Sequence, residues 1–399
     1  MSIALPGSLP AQRPLLALAG IAATALFVQI WSESPTRAWV LLIGIALGIA
    51  LYHAAFGFTA AYRRAIVDRD LSGIAAQAVM LILAMVLFAP VLAAGEVFGH
   101  AAGGAVAPIS VAMLTGAFVF GIGMHLGGAC ASGTLFTVGG GNSRMMVTLA
   151  FFCLGSWWGT LDLAWWRALP GFGPVSLGQE FGYGTAVILQ TGFLLLVLWG
   201  LHRLGARLRQ PLGWRTAPGL DRLLRGPWPL LWGALALAVL NAAMLAVTGR
   251  PWGVTWGFTL WGAKAMAAFG WNPADSAYWS QDWTSAALAA PVLSSTVSVS
   301  NIGILLGALA AASLAGKVGP TWRIGWRPLA AAVIGGLMMG YGARLAYGCN
   351  IGAFFSGVAS TSLHGWAWIA MALLGSVIGI RLRPLFHLDG TPARDGSGH

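Results

Sequence analysis

The sequence predicts an all-α polytopic membrane protein built from two inverted repeats, whose re-entrant or broken helices carry cysteines at the centre. Three observations lead there. Of 399 residues, 58% are hydrophobic and only 8% charged, whereas a soluble domain carries roughly 25% charged residues. Ten apolar stretches approach the length of about 20 residues that a spanning helix needs. Finally, a glycine-cysteine passage occurs twice: GMHLGGACASGTLF from Gly123 and GARLAYGCNIGAFF from Gly342, an offset of 219 residues.

In chain order, the segment 1–37 holds the first apolar run, 15–31, expected to be a retained helix because no small-x-small cleavage site follows it. The stretches 38–56, 73–95, 110–128 and 145–166 form a first unit, 38–184. The run 185–202 and an arginine-rich loop to 228 join it to a second unit, 229–383, with stretches 229–247, 294–314, 328–346 and 364–381. A polar tail, 384–399, follows. Between 250 and 293 the chain is Trp-rich, and its polar cluster NPADSAYWSQD (272–282) reads as an external loop.

Charge supports this division. Loops alternate so that one side holds 17 of the 22 Lys and Arg and the other holds Arg37, Arg167, Arg250 and Lys264, with Arg344 inside a helix. The positive-inside rule makes the richer side, and both termini with it, cytoplasmic. The net charge of +11, nearly all arginine in short loops, therefore reads as topology and not as a nucleic-acid footprint. Three cysteines make neither a disulfide framework nor a zinc motif. No Walker motif is present, and no metal or cofactor is expected. All eleven Asp and Glu lie in loops or near helix ends, so a buried carboxylate relay is not expected. An anion or neutral solute fits better than a cation.

At the 219-residue offset, Gly116, Gly121, Gly123, Leu126, Cys130, Gly133 and Phe136 match Gly335, Gly340, Gly342, Leu345, Cys349, Gly352 and Phe355. A second match, FGFT (56–59) with WGFT (256–259), comes in the same order. Four helices plus one joining helix reverse the second unit, as in transporter and channel folds. GGACASGT is too polar and glycine-rich for lipid-facing helix, and irregular backbone at membrane depth survives only where protein buries it or water lines it. Cys130 and Cys349 are therefore expected on broken segments beside a shared path. Gly128, Ser132 and Gly133 flank the first, and Gly348, Asn350 and Gly352 the second. Glycines let a solute approach the backbone, free N–H groups favour an anion, and a thiol adds a soft, weak donor. A lone membrane cysteine is ordinarily a small buried hydrophobe. Duplication singles out Cys130 and Cys349, and unmatched Cys153 is expected to be structural. His125 and Arg344, each five residues before its cysteine, are candidates to hold the solute. Lys264 reads first as a solvated loop lysine, with an outer vestibule as its functional alternative. His53 and Arg250 are weaker candidates: a stand-in group on the path and an interface anchor.

These passages resemble the YeeE/YedE sulfur-transport family of bacterial inner-membrane proteins, from about residue 40 to 381. The resemblance implies uptake of a small inorganic sulfur anion such as thiosulfate, handed along a central path by S–H contacts from Cys130 and Cys349. It also implies an inner-membrane location and a TusA-like sulfurtransferase on the cytoplasmic side. An earlier family cysteine falls here on Gly57, which leaves the ion open between thiosulfate and a related sulfur or selenium species. On the residues alone, a membrane thiol oxidoreductase or sulfurtransferase using the same two cysteines stays open, as does a scaffold for a sulfur carrier.

Overall fold

A computed structural model describes residues 10–213, 219–320 and 324–389; the tail beyond 389 lies outside the described residues. Eighteen α-helices occur among them. In the first half these are α1 (Arg13–Glu33), α2 (Pro35–His53), α3 (Phe58–Arg63), α4 (Ser72–Ala94), α5 (Val111–Gly127), α6 (Ala131–Gly139), α7 (Ser143–Leu161), α8 (Leu163–Arg167) and α9 (Leu177–Phe181). The second half holds α10 (Tyr183–Arg203), α11 (Leu220–Arg225), α12 (Leu230–Thr248), α13 (Thr255–Ala268), α14 (Asp282–Ala289), α15 (Thr296–Leu314), α16 (Trp326–Leu345), α17 (Ser356–Ala359) and α18 (Leu363–Leu382). Sheet is confined to two short ribbons, Glu96–Val97 with His100–Ala101 and Pro108–Ser110 with Gly171–Pro174.

Helix starts follow local chemistry. Ser34, Ser110, Asn142 and Ser295 precede α2, α5, α7 and α15, and each side chain accepts a hydrogen bond from a backbone N–H of the first turn, satisfying a group the helix leaves unpaired. Nine stretches among the described residues are long and apolar enough to cross a membrane. Ten were expected from sequence. The difference is α7, a 19-residue helix that is less apolar because Arg144, Thr148, Ser156 and Thr160 face protein. The polar cluster expected as a loop, 272–282, holds only a short 3-10 turn, Pro273–Asp275, before α14 begins at Asp282. The Trp-rich stretch 250–293 around it contains the short helices α13 and α14; Trp256 of α13 and Trp271, Tyr278 and Trp279 of the segment between them build a small aromatic core with Leu260 and Leu345.

The two units do not fold separately. Their helices pack crosswise: α2 on α15, α4 on α12, α5 on α18, α7 on α16, with α5 and α16 against each other. Glycine makes these approaches possible. Gly44 and Gly48 in α2 meet Gly303 and Gly307 in α15, two G-x-x-x-G faces in register. At the centre, a Cβ on Gly116 would lie 2.6 Å from the Gly342 carbonyl oxygen, and one on Gly342 would lie 2.5 Å from that of Gly116. Gly123 and Gly335 stand against each other likewise. In the repeat, Gly116 corresponds to Gly335 and Gly123 to Gly342. Residue i of one unit thus touches the counterpart of j in the other, and j touches the counterpart of i, the signature of a two-fold relation. α1 and α10 stand outside these pairs and are mostly exposed on the outer surface.

Loops gather on two faces. One face joins Gln12 to Ser313 and Val318, Leu71 to Arg207, His53 to Trp228, and Arg144 to Pro328; it holds the basic loops. The opposite face joins Arg37 to Leu293, Gly103 to Gly249, and Trp279 to Thr160.

Candidate functional site: two buried thiols between the units

Both cysteine segments break a helix in the same way. After α5 the backbone turns left-handed at Gly128 (φ 101°), runs extended at Cys130, and restarts as α6. After α16 it turns left-handed at Tyr347 and Gly348 (φ 60° and 150°), runs extended at Cys349, and restarts as a π-helical turn, Asn350–Phe355, leading into α17. Glycine at 128 and 348 permits a backbone that other residues rarely adopt. Each cysteine is thus the residue before a helix start, among N–H groups that have no intrahelical acceptor.

The thiols are free and buried, 1% exposed at Cys130 and fully enclosed at Cys349. Cys130 Sγ lies 3.5 Å from Ser132 Oγ, and the Ile351 N–H donates to Cys349 Sγ at 3.4 Å. A Cβ on Gly133 would press 2.9 Å from Ala129 Cβ and 3.6 Å from Cys130 Sγ, so glycine there keeps the thiol unobstructed. Gly352 lies beside Gly253. The turn Asn350–Phe355 packs on α6, and Cys130, Cys349 and Tyr62 share one buried cluster. The Tyr62 hydroxyl donates to Asn350 Oδ1 at 3.0 Å, and Asn350 Nδ2 donates to Met124 Sδ at 3.6 Å. Tyr62 and Met124 belong to the first unit and Asn350 to the second, so the centre is tied across the repeat. α6 leads toward the basic face, where Gly141 meets Val318. α17 leads toward the opposite face, where Ser360 Oγ accepts from the Ala105 N–H at 2.9 Å.

On that opposite face a cavity of about 530 Å³ is lined by Arg250, Thr255, Trp256, Thr259, Trp283, Ala343, Arg344 and Tyr347. It reaches Tyr347, two residues short of Cys349. No carboxylate among the described residues lines it. Arg344 lies over the Tyr278 ring at 5.4 Å, and its Nε has no hydrogen-bond partner among the described residues. A membrane arginine whose Nε is left without a hydrogen bond beside a polar cavity is costly unless something uses it. Its repeat counterpart His125 is fully buried, and both ring nitrogens lack a partner among the described residues.

The predicted residues Cys130, Ser132, Gly133, Cys349, Asn350 and Gly352 therefore meet at one centre. Gly128 and Gly348 turn the chain into it, and Arg344 and His125 flank it toward the two faces. Arg250 lines the cavity together with Arg344. Lys264 does not: its Nζ donates to the carbonyls of Leu288 and Ala290 at 2.6 and 2.7 Å, bracing the end of α14. His53 packs on the Trp228 ring at 5.4 Å on the basic face, away from the thiols. Cys153 lies mid-α7, with its carbonyl against Gly262 of α13. Sequence reasoning missed Tyr62 and Met124. The signal for Tyr62 was its place in the segment after FGFT, which marked the repeat without naming a polar group. Gly57, where the resemblance implies a further cysteine, caps the start of α3, and a Cβ there would make only ordinary contacts, 3.7 Å to Ala60 Cβ.

The chain is similar to a thiosulfate transporter, TsuA, of Spirochaeta thermophila, with 28% identity over 351 residues, covering 84% of this chain and 96% of that protein. It is also similar to probable transporters named YedE from Escherichia coli and Salmonella typhimurium, each 33% identical over 166 residues. Those two matches span 40% of this chain and 40% of each relative's length. The family model for sulphur transport matches residues 53–378. With the duplicated glycine-cysteine passage and the cross-packed units around it, the match identifies the chain as a member of the sulphur transport family, the YeeE/YedE proteins.

Proposed function

We propose that the protein takes up thiosulfate, or a closely similar sulfur or selenium anion, through a path centred on Cys130 and Cys349. The observation that carries the reading is the meeting of two buried free thiols, one from each unit, each at the start of a broken helix. Arg344 and Arg250 attract the anion into the 530 Å³ cavity. Tyr347 and Gly348 lead it inward. At the centre, S–H groups and the backbone N–H groups of the two helix starts replace its water, offering weak donors to sulfur and oxygen alike. Weak, multiple contacts allow the anion to leave as well as enter. His125 receives it on the far side. No bond to the anion is made or broken.

In this reading the units span 38–184 and 229–383, the segment 185–228 joins them, and the basic face with both termini lies in the cytoplasm of a bacterial inner membrane. The 63–70 and 203–227 loops are the surface for a TusA-like sulfurtransferase. The test is uptake of labelled thiosulfate, sulfite, sulfate and selenite by cells that lack their own uptake systems and express this chain. Thiosulfate entry well above the empty-vector control is expected. Entry of none of the four would reject the reading.

A further inference from the structure

Arg63 directly follows Tyr62, and His125 directly follows Met124. Since Tyr62, Asn350 and Met124 are joined at the thiol centre, Arg63 and His125 stand one residue beyond it, toward the basic face. There Arg63 Nη2 and Arg383 Nε both reach a single oxygen, Oδ1 of Asp389, at 2.8 and 2.9 Å. Arg383 also donates through Nη1 to the His125 carbonyl at 2.9 Å and through Nη2 to the Leu388 carbonyl at 3.1 Å. The Arg383 side chain is 14% exposed. Arg63 Nε, like both ring nitrogens of His125, has no partner among the described residues. Asp389 arrives from the C-terminal side, where the chain leaves α18, makes a short turn at Arg383–Phe386 and folds back.

Two guanidinium groups converging on one carboxylate oxygen form an anion site with one ligand in place. One carboxylate leaves a positive charge uncompensated and donors unused. A dianion with several terminal atoms fits the donors better, because guanidinium forks match such groups in geometry and charge.

We propose that Arg63 and Arg383, with His125 behind them, form a second anion-binding site at the end of the path opposite the vestibule, and that Asp389 occupies it as an intramolecular ligand. Its ligand class is an inorganic dianion with sulfur or oxygen terminal atoms. The direction of traffic rests on the transport reading above; the binding site does not. An arriving anion must displace Asp389, so the tail sets how readily the site accepts and passes it on.

The test is binding of thiosulfate and of sulfate to the purified full-length chain by calorimetry, in wild type, Asp389→Asn and Asp389→Asn with Arg63→Gln. A site that the carboxylate occupies nine-tenths of the time binds free ligand about tenfold more weakly than the vacant one. Asp389→Asn should therefore bind about tenfold more tightly, and adding Arg63→Gln should abolish the gain. Both side chains are partly exposed and bear on no helix core, so the variants retain the fold. Equal affinity in wild type and Asp389→Asn, or a gain that survives Arg63→Gln, would overturn the proposal. The result is read without transport, so a chain that moves no sulfur anion but shows this pattern would refute the transport reading and leave the site standing.

Discussion

A hydroxyl matches a thiol in shape but holds its electrons tightly, whereas sulfur is polarisable and makes weaker, longer contacts. That difference suits a centre that must hold an anion without trapping it. Tyr62 is the residue that fixes this centre. Tyr62→Phe keeps the ring but leaves Asn350 Oδ1 without its donor, which should cost about 1 kcal/mol, the scale of hydrogen bonds between membrane helices. A thermal unfolding shift of a few degrees with reduced uptake is expected; unchanged unfolding and uptake would remove Tyr62 from the site. Asp70, outside the spanning segments, permits a pH test. Its burial would raise the carboxyl pKa, but hydrogen bonds from the Ser72 hydroxyl and N–H and the Arg209 N–H, with Arg64 nearby, outweigh burial and hold it below the ordinary carboxylate value. The folded value lies below the unfolded one, so this stabilisation is complete above the unfolded value of about 3.9 and is lost as pH falls through the folded value. Asp70→Asn should thus unfold at a lower temperature than wild type at pH 7, and the gap should narrow only in acid. A gap that widened in acid would contradict the assigned sign.

Among the elements, backbone contact between helices dominates over side-chain interlock. Gly335 of α16 stands against Gly123 and Gly127 of α5; a Cβ would lie 2.7 Å from the Gly123 carbonyl oxygen. Gly335→Ala should destabilise by about 3 kcal/mol or more through overpacking. Gly192 of α10 has no atom within 4 Å of a built Cβ, so Gly192→Ala should be neutral or stabilise by up to about 1 kcal/mol through helix propensity. Thermal unfolding of the pair checks this, and equal effects would contradict the packing described. Most helices were legible because a spanning helix needs an apolar run of fixed length. α13 was not, because it is shorter than the bilayer and its tryptophans face protein, Trp256 on the Trp279 ring and Trp261 on Phe258 and Ser298, instead of lipid. The broken helices at Cys130 and Cys349 were legible, since glycine and polar residues cannot sit in lipid without protein around them. The link through Tyr62 was not, because its partner Asn350 is 288 residues away and no periodicity connects them.

At the scale of the whole molecule, the two units share one interior. Each helix pair crosses from one unit to the other, so neither half buries its own glycine faces alone. The crossing places Arg344 and His125 on opposite sides of the thiols, one toward each face. Sidedness follows from arginine. Loops that the structure gathers on one face carry most of the positive charge, so a reporter fused after Arg383 should be active only in the cytoplasm, and periplasmic activity would reverse the assignment. Residues facing the path could be named from the repeat, but Asp389 could not, because its partners Arg63 and Arg383 come together only in the folded chain. The central claim is that the thiols of Cys130 and Cys349 handle the anion where the two units meet. Its most direct test is labelled thiosulfate uptake by Cys130→Ser, Cys349→Ser and Cys153→Ser at matched protein levels. The account predicts that the first two each lose nearly all uptake while Cys153→Ser stays close to wild type. Normal uptake by the first two, or an equal loss in Cys153→Ser, would contradict it.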